Sequence, residues 1–148
     1  LTLRKQGDTV SLQANLYRQL GTGQLDEAKK LMRALIADVP YSNKKLASMD
    51  MEERYRLIIS TILQALGVRV EVERMLATGR IDLVAWLSRY IYVIELKLSN
   101  NGGLAAAEQQ IRSCGYTEPF KADKRRVVGL AVELDSEGKG LVDWKVVE

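Results

Sequence analysis

The chain has 148 residues, 47% of them hydrophobic, and a formal net charge of +3. These values fit one domain able to bury a real core, and they permit a polyanion partner without requiring one. The sequence holds no histidine and a single cysteine, Cys114, which excludes a Ser-His-Asp triad, a Cys-His dyad, a His-ligated zinc site and any intrachain disulfide. Acid–base chemistry is left to carboxylates, lysine, tyrosine or a metal-activated water. No apolar run approaches the roughly 20 residues needed to span a bilayer, no signal peptide is legible, and a lone thiol suits a reducing cytoplasm. The chain opens on Leu1 rather than Met, so upstream residues are expected.

In chain order, residues 9–20 are weakly amphipathic and read as a helix broken at Gly21-Thr22-Gly23. Residues 25–38 place Ala28, Leu31, Met32, Leu35 and Ile36 on one helical face, and Pro40 ends that helix. The polar stretch 41–50 reads as a loop. A stronger helix is expected over 51–66, with Tyr55, Ile58, Ile59, Ile62, Leu63 and Leu66 as its buried stripe and Gly67 as its stop. Asp50 and Glu53 have the spacing of a capping box.

The texture then changes to period two. Val68, Val70 and Val72 alternate with Arg69 and Glu71, and residues 80–87 and 90–98 form two further strands joined at Ser88-Arg89. Gly102-Gly103 precedes a helix over 104–114, and Gly115 ends it. The basic loop KADKRR leads to a strand at 127–134, and residues 141–147 suit a short edge strand. Three helices, three strands, a helix and one or two strands imply an α/β fold with a mixed sheet flanked by helices.

The acids inside these strands need explaining. Ile91, Val93, Glu95 and Lys97 share one face, and Asp82, Val84 and Trp86 share a face of the preceding strand. If the connection is symmetric about Ser88-Arg89, Asp82 falls directly opposite Glu95. Opposed Cβ atoms lie about 5 Å apart and like charges there are destabilising; apolar flanks add a desolvation cost. A hard divalent cation resolves both, because two carboxylates and waters match the oxygen preference of magnesium. Lys97 then stands beside the metal, able to hold or polarise a water. Taken alone, Asp…Glu-x-Lys equally describes an ordinary ion pair on a solvated sheet.

Gly79-Arg80-Ile81-Asp82 on one strand and Glu95-Leu96-Lys97 on the next resemble the PD-(D/E)XK nuclease superfamily. ERYRLIISTILQALG before the first strand, GR before Asp82, the AEQQI-RSCG-Y segment and a closing DW are similar to the nuclease-like domain found C-terminal to an AAA-type ATPase domain in bacterial proteins of unknown function. The lead-in helices ending at VPY resemble the segment between those two domains.

The resemblance implies a restriction-endonuclease-like αβββαβ core over 48–148, with 1–47 as a helical lead-in from an upstream ATPase domain. It implies a magnesium-dependent nuclease, with manganese as substitute, hydrolysing DNA by attack of a metal-activated water. Asp82, Glu95 and the Leu96 carbonyl become metal ligands, Lys97 and Gln110 catalytic residues, and Tyr116 a packing residue. Glu53 matches a helix acid of the metal site, although the Asp50 cap accounts for it as well. Glu71 and Glu73, on one face of the first strand by alternation, are further candidates, and Gln109 is the alternative to Gln110.

Ile81 replaces the proline of the motif's name, and Arg56 stands where the narrower family often carries histidine. Arg80, Lys121, Lys124, Arg125 and Arg126 are the candidate phosphate contacts, with Arg89 beside them; solvated loops have the same composition. No membrane partner is expected, and an oligomer is allowed. The alternative function is a catalytically weak nuclease-like module that binds nucleic acid or protein under control of the ATPase domain.

Overall fold

The computed structural model describes residues 6–40 and 47–148. Helices α1 (Gln6–Thr22), α2 (Leu25–Ala37) and α3 (Met51–Ala65) precede strands β1 (Arg69–Leu76), β2 (Gly79–Trp86) and β3 (Tyr90–Leu98); α4 (Gly103–Ser113), β4 (Arg126–Leu134) and β5 (Leu141–Val147) complete the chain. Most of the expected loop over 41–50 lies outside the described residues.

The strands form one five-stranded sheet in the order β1-β2-β3-β4-β5. Neighbours pair antiparallel except β3 and β4, which are parallel and joined across the sheet by α4. This is the mixed α/β sheet expected from the element order. Two cores result. One joins α1, α2 and α3 to the sheet through Leu16, Met32, Leu63, Tyr92 and Leu130. The other lies beneath α4 and holds Ile81, Val84, Val93, Ala107 and Ile111.

Local chemistry sets the boundaries. Gly23, at φ +74°, follows the end of α1. Asp50 caps α3 by accepting from the Glu53 N–H at 3.0 Å. α4 begins without a side-chain cap on Gly102, and β4 supplies one instead. The Glu133 carboxylate accepts from Leu104 N at 3.1 Å and from Ser99 Oγ at 2.7 Å. Tyr55 fastens the β4–β5 turn to α3, donating to Asp135 O at 2.8 Å and accepting from Gly140 N at 3.0 Å.

No helix among the described residues is long and apolar enough to cross a membrane. Cys114 is a free, half-buried thiol at the end of α4.

Candidate active site

The β2–β3 hairpin turns through Ser88 and Arg89, with Leu87 N donating to Tyr90 O at 2.8 Å. Its ladder runs from Trp86–Ile91 to Leu83–Ile94. The pairing ends there; extended by one step, its register sets Asp82 opposite Glu95, and the Asp82 charge acts on the Glu95 carboxyl. Here the strands are bridged by a side chain: Asp82 Oδ2 accepts from Leu96 N at 2.9 Å. On the other side of β2, the flanking pairs Val72–Leu83 and Arg74–Ile81 set Glu73 opposite Asp82. Three acids therefore stand in one row across β1, β2 and β3.

Strict alternation fails at this row. Leu83 packs in the core beneath α1–α3, whereas Ile81, two residues away, packs with Val84 beneath α4. The hairpin rolls over at Glu73 and Asp82, and Glu73 adopts φ +55°, the one left-handed non-glycine residue described. The expected shared face of Asp82, Val84 and Trp86 is thus interrupted at Asp82. Glu71 and Glu73, expected on one face, are also separated. Glu71 accepts from the Trp86 indole at 3.0 Å, while Glu73 turns to Arg56, 3.1 Å away.

Asp82 and Glu95 are both deeply buried, at 4% and 2% relative exposure. Lys97 Nζ lies 3.8 Å from Glu95 Oε2; Glu95 Oε1 is buried with no hydrogen-bond partner. Burial first, and the Asp82 charge second, push the Glu95 carboxyl up to about 8, with Lys97 pulling the other way. A buried, proton-hungry carboxylate with an orphaned oxygen suits a hard cation. The donor set is two carboxylates, since no group of three acids or other ligating side chains able to hold a metal occurs among the described residues. Two carboxylates leave the rest of a hard cation's oxygen shell to waters and substrate.

Residues 50–144 match the model of the PD-(D/E)XK nuclease superfamily. The chain belongs to that superfamily. Its mixed sheet and four helices are the restriction-endonuclease-like architecture of PD-(D/E)XK domains. The chain is also similar to a protein of Azotobacter chroococcum mcd 1 described as "Uncharacterized protein in vnfD 5'region". The two are 26% identical over 134 residues, covering 88% of this chain and 26% of that relative. The chain thus spans about a quarter of the relative's length.

In this PD-(D/E)XK domain, Arg56 is the residue whose importance the sequence obscured. It is buried on α3 at 7% relative exposure. Its guanidinium bridges Glu73 at 3.1 Å and Asp82 at 3.7 Å, and its Nε lacks a hydrogen-bond partner. Its place, where the narrower family often carries histidine three residues after the helix acid Glu53, was the available signal. Glu53 lines an open groove of about 380 Å³ between α3 and β1, together with Arg56, Ser60 and Glu73.

Gln110 reaches toward β2 through a relay. Its Nε2 donates to the Tyr116 hydroxyl at 3.0 Å, which donates to Arg80 O at 3.1 Å. Burial raises the Tyr116 phenol, and the nearby Glu95 charge contributes. Tyr116 therefore does more than fill space: it ties α4 to the strand that carries Asp82. Gln109 carries only a backbone contact, its carbonyl accepting from Ser113 Oγ at 2.8 Å.

Of the candidate cations, Arg80 lies beside the row of acids, 3.7 Å from Glu73. The KADKRR loop does not. Arg126 pairs with Tyr90 at the start of β3, while Glu95 pairs with Ala131; five residues of strand at about 3.3 Å each put roughly 16 Å between those rows. Lys121 pairs with Glu118 at 3.0 Å and Arg125 with Asp123 at 3.9 Å, and Lys124 is exposed.

Proposed function

We propose that this domain is a magnesium-dependent nuclease that hydrolyses phosphodiester bonds of DNA. The observation that carries the reading is the convergence of Asp82 and Glu95 from adjoining strands, with Glu95 Oε1 unpartnered and the Lys97 ammonium 3.8 Å from Glu95 Oε2. Asp82, Glu95 and the Leu96 carbonyl would hold the cation. Glu53, across the groove from Glu73, would join them only through a water. Once bound, Mg²⁺ or Mn²⁺ supplies Lewis acidity toward the phosphate and makes a water easier to deprotonate.

The chain's own residues do the rest. Glu95 must give up its proton for the cation to enter, which its raised affinity for protons opposes and the Lys97 charge assists. Lys97 orients the attacking water and offsets charge developing on the phosphate. Gln110 acts by holding Tyr116, and Tyr116 by holding Arg80 and the start of β2. Arg56 fixes Asp82 and Glu73 in their row through its ion pairs to both. The free thiol fits a cytoplasmic setting.

A second reading has an observation of its own. The Arg56 guanidinium already balances Asp82 and Glu73, as a metal would, so the isolated domain would be a binding module whose chemistry waits on another part of the protein. The much greater length of the A. chroococcum relative supports a larger parent chain, in which an upstream ATPase domain would control this one. The family match beginning at residue 50 supports a nuclease core over 48–148 and a lead-in over 1–47.

The two readings part in one experiment. Purified protein is incubated with DNA and Mg²⁺ or Mn²⁺, beside Asp82→Ala and Lys97→Ala. The nuclease reading expects cleavage that falls by at least about 100-fold in each variant, the scale of losing one charge-stabilising or proton-handling group, with the far-ultraviolet spectrum unchanged. Cleavage of equal rate in all three proteins would reject those residues as its source, and no cleavage in any of them would favour the binding module.

A further inference from the structure

A cluster of basic residues runs along β1 from the end of the sheet remote from the acids to the edge of their row. The Arg69 guanidinium sits 4.7 Å from the centroid of the Trp86 ring and Arg125 sits 5.5 Å from it. Arg74 lies 4.7 Å from the ring of Phe120, which meets Trp86 edge to face at 5.4 Å. These groups come from the two ends of β1, the end of β2 and the segment before β4, so the fold assembles them. The roll at Glu73 is what brings Arg74 over: simple alternation would set it on the face opposite Arg69 and Glu71, yet Arg74 bonds Glu71 at 3.1 Å.

Charge balance shows that this cluster is more than internal pairing. Glu71 is shared by Arg74, Arg69 at 3.7 Å and the Trp86 indole, so one carboxylate serves two guanidinium groups. With Arg89 and the four cations of KADKRR, seven basic residues stand against Glu71, Glu118 and Asp123, an excess of four where the whole chain has an excess of three. Arg69 and Lys124 are exposed.

The chemistry selects the ligand. Two guanidinium groups lie against Trp86, which leaves no open platform for a stacked base. Stacking shields the flat faces of a guanidinium and leaves its N–H edge for phosphate oxygens. These cations stand on strand ends and on the segment before β4, which suits contact with phosphates rather than with base edges. We propose that this cation–aromatic end of the sheet is a docking site for polynucleotide backbone that needs no metal and is distinct from the acid cluster. Arg74, paired with Ile81 next to Asp82, and Arg80 carry the charge from this end toward the acids, so a bound strand is led from one site to the other. The proposal borrows from the nuclease reading only the identity of the polyanion.

The test is binding of fluorescently labelled duplex DNA in EDTA across a salt series, with cleavage in Mg²⁺ measured in parallel. Each lost phosphate contact flattens the plot of log affinity against log salt by about 0.9. The combined Arg69→Gln and Arg125→Gln protein is expected to flatten it by about two and to bind on the order of tenfold more weakly. Lys124→Gln, which disturbs no packing, is expected to flatten it by about one. Arg69→Lys keeps the charge and should bind nearly as wild type, and Lys30→Gln on α2 is the charge-matched control that should bind unchanged.

Wild-type slopes in both the double variant and Lys124→Gln would overturn the docking site, as would an equal loss in Lys30→Gln. The two proposals fail separately. Salt slopes that track these arginines in a protein that cuts nothing leave docking standing and the nuclease reading fallen. Normal cleavage with unaltered slopes does the reverse.

Discussion

Glu95 is a carboxyl placed where ionisation is costly, and the cost is measurable. Its affinity for protons is raised from an ordinary 4.5 to about 8, by burial first and by Asp82 second. A group raised in the folded state stabilises the fold fully below its unfolded value and loses that contribution as pH climbs through its folded value. In EDTA, the stability of the wild-type protein should therefore decline between about pH 4.5 and 8 relative to Glu95→Gln, which cannot ionise. Urea denaturation at several pH values checks this, and parallel profiles for the two proteins would contradict it. Saturating Mn²⁺ should remove the decline, because the cation replaces the proton. Little of this was hidden in the sequence: the apolar flanks of Asp82 and Glu95 and the short turn at Ser88-Arg89 gave both burial and register. Arg56 was hidden, because a lone arginine on a helix reads as solvated until a strand 26 positions away supplies its acid.

At the scale of elements, β4 controls the start of α4. Gly103, at φ +56°, sits where an added Cβ would come within 2.5 Å of the Glu133 carboxylate that caps the helix. Gly103→Ala should cost about 1–2 kcal/mol, from the left-handed backbone and the displaced cap together. Denaturation should register the loss, hydrogen exchange at Leu104 should quicken, and an unchanged midpoint would show that the cap tolerates displacement. The element order and nearly every boundary were legible, because period 3.6 gives way to period two at Val68. The roll of the β1–β2 hairpin was not, since nothing local marks Glu73 as left-handed; it lies where Arg56 from α3 and Arg80 from β2 both pair with the Glu73 carboxylate. The remoteness of KADKRR from the acids was equally invisible, because it follows from the parallel pairing of β4 with β3, a long-range fact.

At the scale of the molecule, α1 and α2 share a core with the sheet. Met32 is buried between them and the strands, Tyr92 donates to Leu20 O at 2.6 Å, and the Trp144 indole donates to Leu25 O at 3.1 Å. Met32→Ala should therefore destabilise the whole domain by about 3 kcal/mol in a single unfolding transition. Loss of the helical signal alone, with the sheet intact, would mean that the lead-in folds apart from the core. Lys29 adds an ion pair to Asp143 at 2.8 Å that holds this carboxyl below its usual range. Its contribution is present above the ordinary carboxylate range and fades as acid titrates the group. These contacts fasten α1 and α2 to the sheet; α3 packs into the same core through Ile59 and Leu63 and carries Arg56 to the row of acids on which the proposed function rests. The most direct measurement of that claim is anomalous diffraction from crystals soaked in manganese. The account predicts a peak between the Asp82 and Glu95 carboxylates, within bonding distance of both; a saturated soak that leaves this position empty, with Arg56 still seated on Asp82, would contradict it.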